Sequence, residues 1–255
     1  LDLPVGEQIN LMNRWQYTDL EKGWVSFLSW RYMKDDKLLG TLSFNPQKDR
    51  GMNNRWGSEI KTRRWDASFK LGYVFPETPY QSFGFQSAFS SHDQDSYYGL
   101  RTYDINQESF YTNLIFNSII GNTLNKFKVG LNYSFDTYME LVNVDAFQRT
   151  DQSVGGFFEF SHDNNDNFSL IAGVRMDFHN NFGSFLTPRV HFRYVPLEKF
   201  VIRLSAGSGR KAANIFAENQ TLFATNRAIK IESSDGKIYG LDPEKAWNYG
   251  LGLSK

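Results

Sequence analysis

Arg64-Trp65-Asp66-Ala67-Ser68-Phe69-Lys70-Leu71-Gly72-Tyr73-Val74-Phe75 alternates with period two. Side chains of a strand point to opposite faces in turn, so each face can be read separately. Trp65, Ala67, Phe69, Leu71, Tyr73 and Phe75 share one face, and Arg64, Asp66, Ser68 and Lys70 share the other. A Lys or Arg facing lipid at the bilayer midplane costs about 2–4 kcal/mol. An uncharged, aromatic face backed by a charged one therefore describes a strand with lipid on one side and water on the other.

The same reading extends to ten further segments. Ile9, Leu11, Trp15 and Tyr17 share a face, as do Trp24, Leu28, Trp30 and Tyr32. Phe83, Phe85 and Phe89 follow, then Phe110, Leu114 and Phe116, then Phe127, Val129, Leu131, Tyr133 and Phe135. Val154, Phe158 and Phe160 precede Phe168, Leu170, Ala172, Val174 and Met176. Leu186, Val190, Phe192 and Tyr194 make the ninth segment, and Phe200, Ile202, Leu204 and Ala206 the tenth. Trp247, Tyr249, Leu251 and Leu253 make the last. No charge falls on this face, whereas Arg14, Arg31, Lys128, Glu159, Arg175 and Arg203 fall on the opposite one. Most segments run about ten residues, the length a tilted strand needs to cross a bilayer.

The connectors sort by length. Short links at 18–22, 76–81, 121–125, 162–167 and 195–199 alternate with long ones at 34–61, 92–107, 137–151, 179–184 and 209–244. Transmembrane barrels have short periplasmic turns and long extracellular loops, and a soluble all-β binding module has no reason to sort them. Aromatics flank the short links, as Tyr17 and Trp24, Phe75 and Tyr80, Phe160 and Phe168, and Tyr194 and Phe200 do. Such rings form girdles at the headgroup level. Pro188 lacks a ladder donor and predicts a bulge or the outer end of a strand.

Composition agrees. Of 255 residues, 23 are Phe, 13 Tyr and 6 Trp, yet mean hydropathy is negative, as alternation produces. Basic and acidic residues balance at 28 each, which gives no bulk argument for a nucleic-acid partner. Cysteine is absent, which excludes disulfides, thiolate chemistry and cysteine metal sites. The predicted fold is all-β: an antiparallel transmembrane β-barrel of about 11 meandering strands. Eleven is odd where barrels close with even counts, so residues 1–255 read as part of a larger barrel.

Three stretches resemble TonB-dependent outer-membrane receptors, particularly those of Bacteroidetes-type bacteria. The first is Ile9-Asn10-Leu11-Met12-Asn13-Arg14-Trp15. The second runs from Thr187-Pro188-Arg189-Val190 through Arg203-Leu204-Ser205-Ala206-Gly207-Ser208-Gly209 to Ala213-Asn214-Ile215-Phe216-Ala217-Glu218-Asn219. The third is Leu241-Asp242-Pro243-Glu244-Lys245-Ala246-Trp247-Asn248-Tyr249-Gly250. The chain differs after Gly209, where Arg210 and Lys211 replace an aromatic and an arginine. The resemblance implies half of a 22-stranded plugged barrel, without its plug or closing C-terminal strand. It further implies a cell outer-membrane receptor, not an enzyme, for a scarce bulky nutrient: a ferric chelate, haem, cobalamin or oligosaccharide. Implied partners are outer-membrane lipid, the TonB–ExbB–ExbD complex through the plug, a small-molecule or glycan ligand and a surface lipoprotein. No cofactor or metal is implied.

Two groups of residues are candidates for binding. The predicted loop His92–Gln107 carries Asp93, Asp95, Tyr97, Tyr98, Tyr103 and Asp104, a mixture of rigid rings and charges suited to ligand capture. Its carboxylates also suit Ca²⁺, whereas the run Asp163–Asn167 reads as a turn. Arg210 and Asn214 open the longest predicted loop and extend the ligand set. Arg175, Arg189, Arg193 and Arg203 form an inward basic wall, suited to acidic groups of a plug or to an anionic ligand. An alternative reading makes the chain a barrel hydrolase, with His92 beside Asp93 and Asp95, and His179, as its catalytic groups.

Overall fold

The computed structural model describes residues 4–164, 166–225, 227, 239 and 241–255. They form one antiparallel sheet of eleven strands, each paired with its neighbours in chain order. The strands are β1 (Val5–Asp19), β2 (Trp24–Gly40), β3 (Gly57–Val74), β4 (Ser82–Tyr98), β5 (Arg101–Ile120) and β6 (Asn122–Val142). They continue as β7 (Asp145–Asp163), β8 (Phe168–His179), β9 (Gly183–Leu197), β10 (Phe200–Lys211) and β11 (Glu244–Ser254). Helix α1 (Pro46–Asp49) lies between β2 and β3. Helix α2 (Ile215–Glu218) and a 3-10 turn over Gln220–Ala224 lie between β10 and β11.

The alternation places the faces as expected. Trp15, Trp65, Phe89, Leu131, Phe158 and Leu251 stand among the exposed large apolar residues, a belt that lipid covers. At the inner end the rings touch: Trp24 and Tyr73 lie 4.6 Å apart, Phe83 and Phe116 4.7 Å, and Phe168 and Phe192 5.4 Å. The inner turns are short. Asn164 closes one of them by accepting from the backbone N–H groups of Asp166, Asn167 and Phe168, so the expected turn within Asp163–Asn167 forms, though residue 165 lies outside the described residues. Pro188 pairs with Val174 on β8, while the β9–β10 pairing ends next to it at Arg189 and Gly207. It marks the outer end of that ladder, and the register shift falls elsewhere, at Phe200/Ile202.

The outer side differs from the expectation in a systematic way. Only the connections after β2 and β10 are long. The expected loops at 92–107 and 137–151 are strand, with β4 and β5 joined at residues 99–100 and β6 and β7 at residues 143–144. Gly99 (φ 64) and Asn143 (φ 56) supply the left-handed backbone of these tight turns. The ten-residue segments are thus the membrane part of strands of up to 21 residues.

The outward face shows where lipid ends. Lys34, Arg63, Asp93 and Asn106 lie in one row across β2–β5, immediately beyond Tyr32 and Trp65. From there the polarity inverts. Glu59, Lys61, Asp95 and Asp104 point out into water, whereas Ile60, Tyr98, Tyr103, Ile105, Val142 and Phe147 point in. The inward set packs with Phe216 and Phe223 into the buried cluster of the fold, which sits at the outer mouth.

Candidate functional site at the outer mouth

The segment after β10 folds back across the sheet as a cap. Phe223 stacks on Tyr103 with centroids 5.0 Å apart and planes 12° from parallel, and on Tyr98 at 5.6 Å. Phe216 meets Phe147 at 5.0 Å and Tyr103 at 6.1 Å. Polar contacts fix the register: Tyr98 donates to Gln220 Oε1 at 3.2 Å, and Arg101 donates to the carbonyls of Leu222 and Arg227. Arg149 donates to the Ala213 carbonyl at 3.0 Å, lies within 3.1 Å of Asp151, and sets its guanidinium 3.9 Å from the Tyr138 ring centroid.

Glu140 is the hinge pin of this arrangement. Its carboxylate is buried and accepts from the Tyr103 hydroxyl at 2.8 Å and from the Tyr239 hydroxyl. Burial, and then the neighbouring carboxylate, raise the Tyr103 hydroxyl well above the ordinary tyrosine range. Burial and the hydrogen bond to Glu140 do the same for Tyr239. A tyrosine whose folded value is raised contributes stability that is present below its ordinary pKa of about 10 and is lost as pH rises beyond it. Alkaline titration is therefore expected to free the cap above about pH 10, with tyrosinate absorbance and protease cleavage of the cap rising together. Cap release on acidification to pH 6 with no alkaline transition would contradict the arrangement.

Farther in from the cap, the polar face of β1–β6 borders an open hollow of about 580 Å³ lined by Arg31, Arg64, Asp66, Ser109, Tyr111 and Asp136. Arg64 Nε donates to Asp66 at 2.9 and 3.1 Å, and Ser109 donates to Asp136 at 2.5 Å. The volume is in the range of small-molecule sites.

The structure separates the expected binding residues. Tyr98 and Tyr103 are buried beneath the cap and hold it through Phe223. Tyr97 faces outward and is covered by Arg50, whose guanidinium stands 4.6 Å from its ring centroid. Asp93, Asp95 and Asp104 share an outward hollow of about 220 Å³, on the opposite side of the sheet from the lumen. No metal-binding group of three His, Asp or Glu residues forms among the described residues. Arg210 lies on β10 over Phe185 at 4.9 Å. Asn214 precedes α2, with its backbone N–H donating to Glu218 and its side-chain oxygen buried without a partner. His92 faces the lumen while Asp93 and Asp95 face out, because neighbours in a strand diverge. The catalytic pairing fails on that geometry.

The basic wall divides in two. Arg175 is held by Asp177 through two contacts of 2.7 Å, and Arg189 by Glu159, which Lys128 also approaches at 3.2 Å. Arg193 and Arg203 make no ion pair among the described residues. Glu140, Arg149, Phe216 and Phe223 were not among the expected binding residues. A lone acid in the inward series Tyr138, Glu140, Val142 was the available signal.

Comparison with known proteins agrees with this architecture. Residues 4–254 match the family model described as TonB dependent receptor-like, beta-barrel. No curated protein matches by sequence. Among solved structures, the siderophore receptor PirA from Pseudomonas aeruginosa has a TM-score of 0.69 at 14% identity, over 98% of this chain and 43% of that one. The alcaligin outer membrane receptor FauA from Bordetella pertussis scores 0.69 at 12% identity, over 97% and 40%. The siderophore receptor PiuA from Acinetobacter baumannii scores 0.70 at 13% identity, over 98% and 47%. The chain thus spans less than half the length of each.

Proposed function

Because the chain belongs to the TonB dependent receptor-like β-barrel family, and is accordingly an outer-membrane β-barrel protein and not an enzyme, we propose that it forms part of a receptor for energised uptake of a scarce nutrient. The observation that carries this reading is the capped mouth over a polar lumen: an inward aromatic cluster holds a long segment at the mouth, and an open hollow of about 580 Å³ lies farther in. A solute arriving from outside meets the cap first and the Arg64–Asp66 and Asp136 surface next. In this reading the unpaired edges of β1 and β11 join further strands, since an open edge in lipid leaves backbone groups unsatisfied. Energy comes from the TonB complex through a plug.

The ligand class proposed for first trial is a ferric chelate. The inward arginines favour an anionic solute, and the structures of similar fold are named as siderophore receptors. Binding is to be measured on the whole purified receptor with a panel of ferric siderophores, beside haem, cobalamin and oligosaccharides. Growth of a deletion strain on the same sources is expected to fail for the bound ligand, and uptake to stop when TonB is removed. A deletion strain that grows normally on every source, with TonB-independent entry, would overturn the proposal.

A further inference from the structure

We propose that Arg193 and Arg203 form a clamp for an oxyanion, a carboxylate or phosphate group, on the lumen face near the inner end of the barrel. The two residues are direct partners across β9 and β10. Like charges directly opposite on one face destabilise a sheet, whereas the other two arginines of this wall stand opposite uncharged residues and hold Asp177 and Glu159. Arg193 and Arg203 have no such carboxylate among the described residues, and Arg203 only donates to the Ser254 hydroxyl at 3.2 Å. Along their row the strands present Asp163, Ser169, Arg193, Arg203 and Gly252 in turn. Asp163 therefore stands two strands from Arg193, roughly 10 Å at ordinary strand spacing.

The surroundings suit an oxyanion. His191 and Ser205 occupy the next row on the same face. Together with Ser169, Gly250, Gly252 and the two arginines they line a cavity of about 410 Å³. Gly250 keeps this space clear, since a Cβ there would come within 2.6 Å of the Ser205 hydroxyl. Two planar forks with hydroxyl donors beside them match the geometry of a carboxylate or phosphate. The oxyanion neutralises the facing charges and joins β9 to β10 through its oxygens. It can be a free solute or an acidic side chain of polypeptide lodged in the barrel.

Two measurements on the whole receptor in detergent separate these sources. If the oxyanion is a free solute, calorimetric titration with inorganic phosphate shows saturable binding that weakens at least tenfold in Arg193→Gln and in Arg203→Gln. Arg189→Gln, whose arginine already has a carboxylate, leaves it unchanged. If the oxyanion belongs to lodged polypeptide, phosphate does not bind, and Arg203→Glu lowers the thermal midpoint by repelling the resident carboxylate. Failure of phosphate binding together with a raised midpoint in Arg203→Glu would overturn the clamp, because glutamate would then simply pair with an otherwise unsatisfied Arg193. Should Arg203→Glu not assemble, Arg203→Gln carries the same comparison of sign. Because neither measurement uses the transported nutrient, the outcome is independent of the proposed ligand.

Discussion

Phe69→Lys is expected to abolish accumulation of assembled barrel in the outer membrane. Phe69 lies on the outward face of β3, opposite Leu28 of β2 and 6.3 Å from the Phe85 ring. The apolar belt extends along β3 from Trp65 to Tyr73, which puts this position near mid-bilayer. A lysine there costs about 2–4 kcal/mol, and the missing ring removes packing against Phe85 as well. Ala88→Lys is the matched control. Ala88 sits on the polar face beside the large hollow, so a charge there remains hydrated and the barrel assembles. The measurement is the fraction migrating as folded, heat-modifiable protein. Equal losses in both variants would contradict the assignment of faces.

The second large effect is expected at the cap. Phe223 is 1% exposed and stacks between Tyr98 and Tyr103. Removing a buried phenylalanine ring typically costs about 3–5 kcal/mol. The cap gathers this loss on a short segment, whereas the ladder below depends on neighbouring strands, so local opening precedes any global change. Phe223→Ala should leave the barrel folded and expose residues 212–225 to protease at least tenfold faster. In the receptor, ligand affinity should fall with it, because the mouth loses its ordered wall. If cleavage remains slow while ligand binding stays intact, the cap is not held by this ring.

Much of this was legible in the residues. The uncharged face of Trp65–Phe75 identifies lipid directly, because a misplaced charge is costly, and the inner turns follow from it. The outer halves of the strands escaped for a physical reason. Beyond Lys34, Arg63 and Asp93 the outward face meets water and is free to carry charge, so the contrast that marks a membrane strand disappears. Alternation continues in the opposite phase, as in Asp104-Ile105-Asn106, with the apolar residue now inward. Gly99 and Asn143 were the remaining clues that the chain turns tightly there instead of looping. The cap could not be read at all. Phe216 and Phe223 meet Tyr103 across more than a hundred residues, and no local pattern records that meeting. The split of the basic wall was legible only in part: Arg175 and Asp177 stand two residues apart on β8, whereas only pairing across strands tells that Arg189 reaches Glu159 and that Arg193 faces Arg203.

The reach of the cap has a consequence for how the molecule acquires its structure. Every ladder of the sheet joins consecutive strands, so hairpins can zip one after another with short chain closures. The Tyr98–Gln220 contact instead spans 122 residues, and such non-local closure is paid for before it is rewarded. Docking of Phe223 therefore waits until β4–β6 and β10 have been brought into place, which makes it a late event of assembly. A fluorophore reporting that docking would serve as a clock for completion of this part of the wall, lagging strand pairing in time.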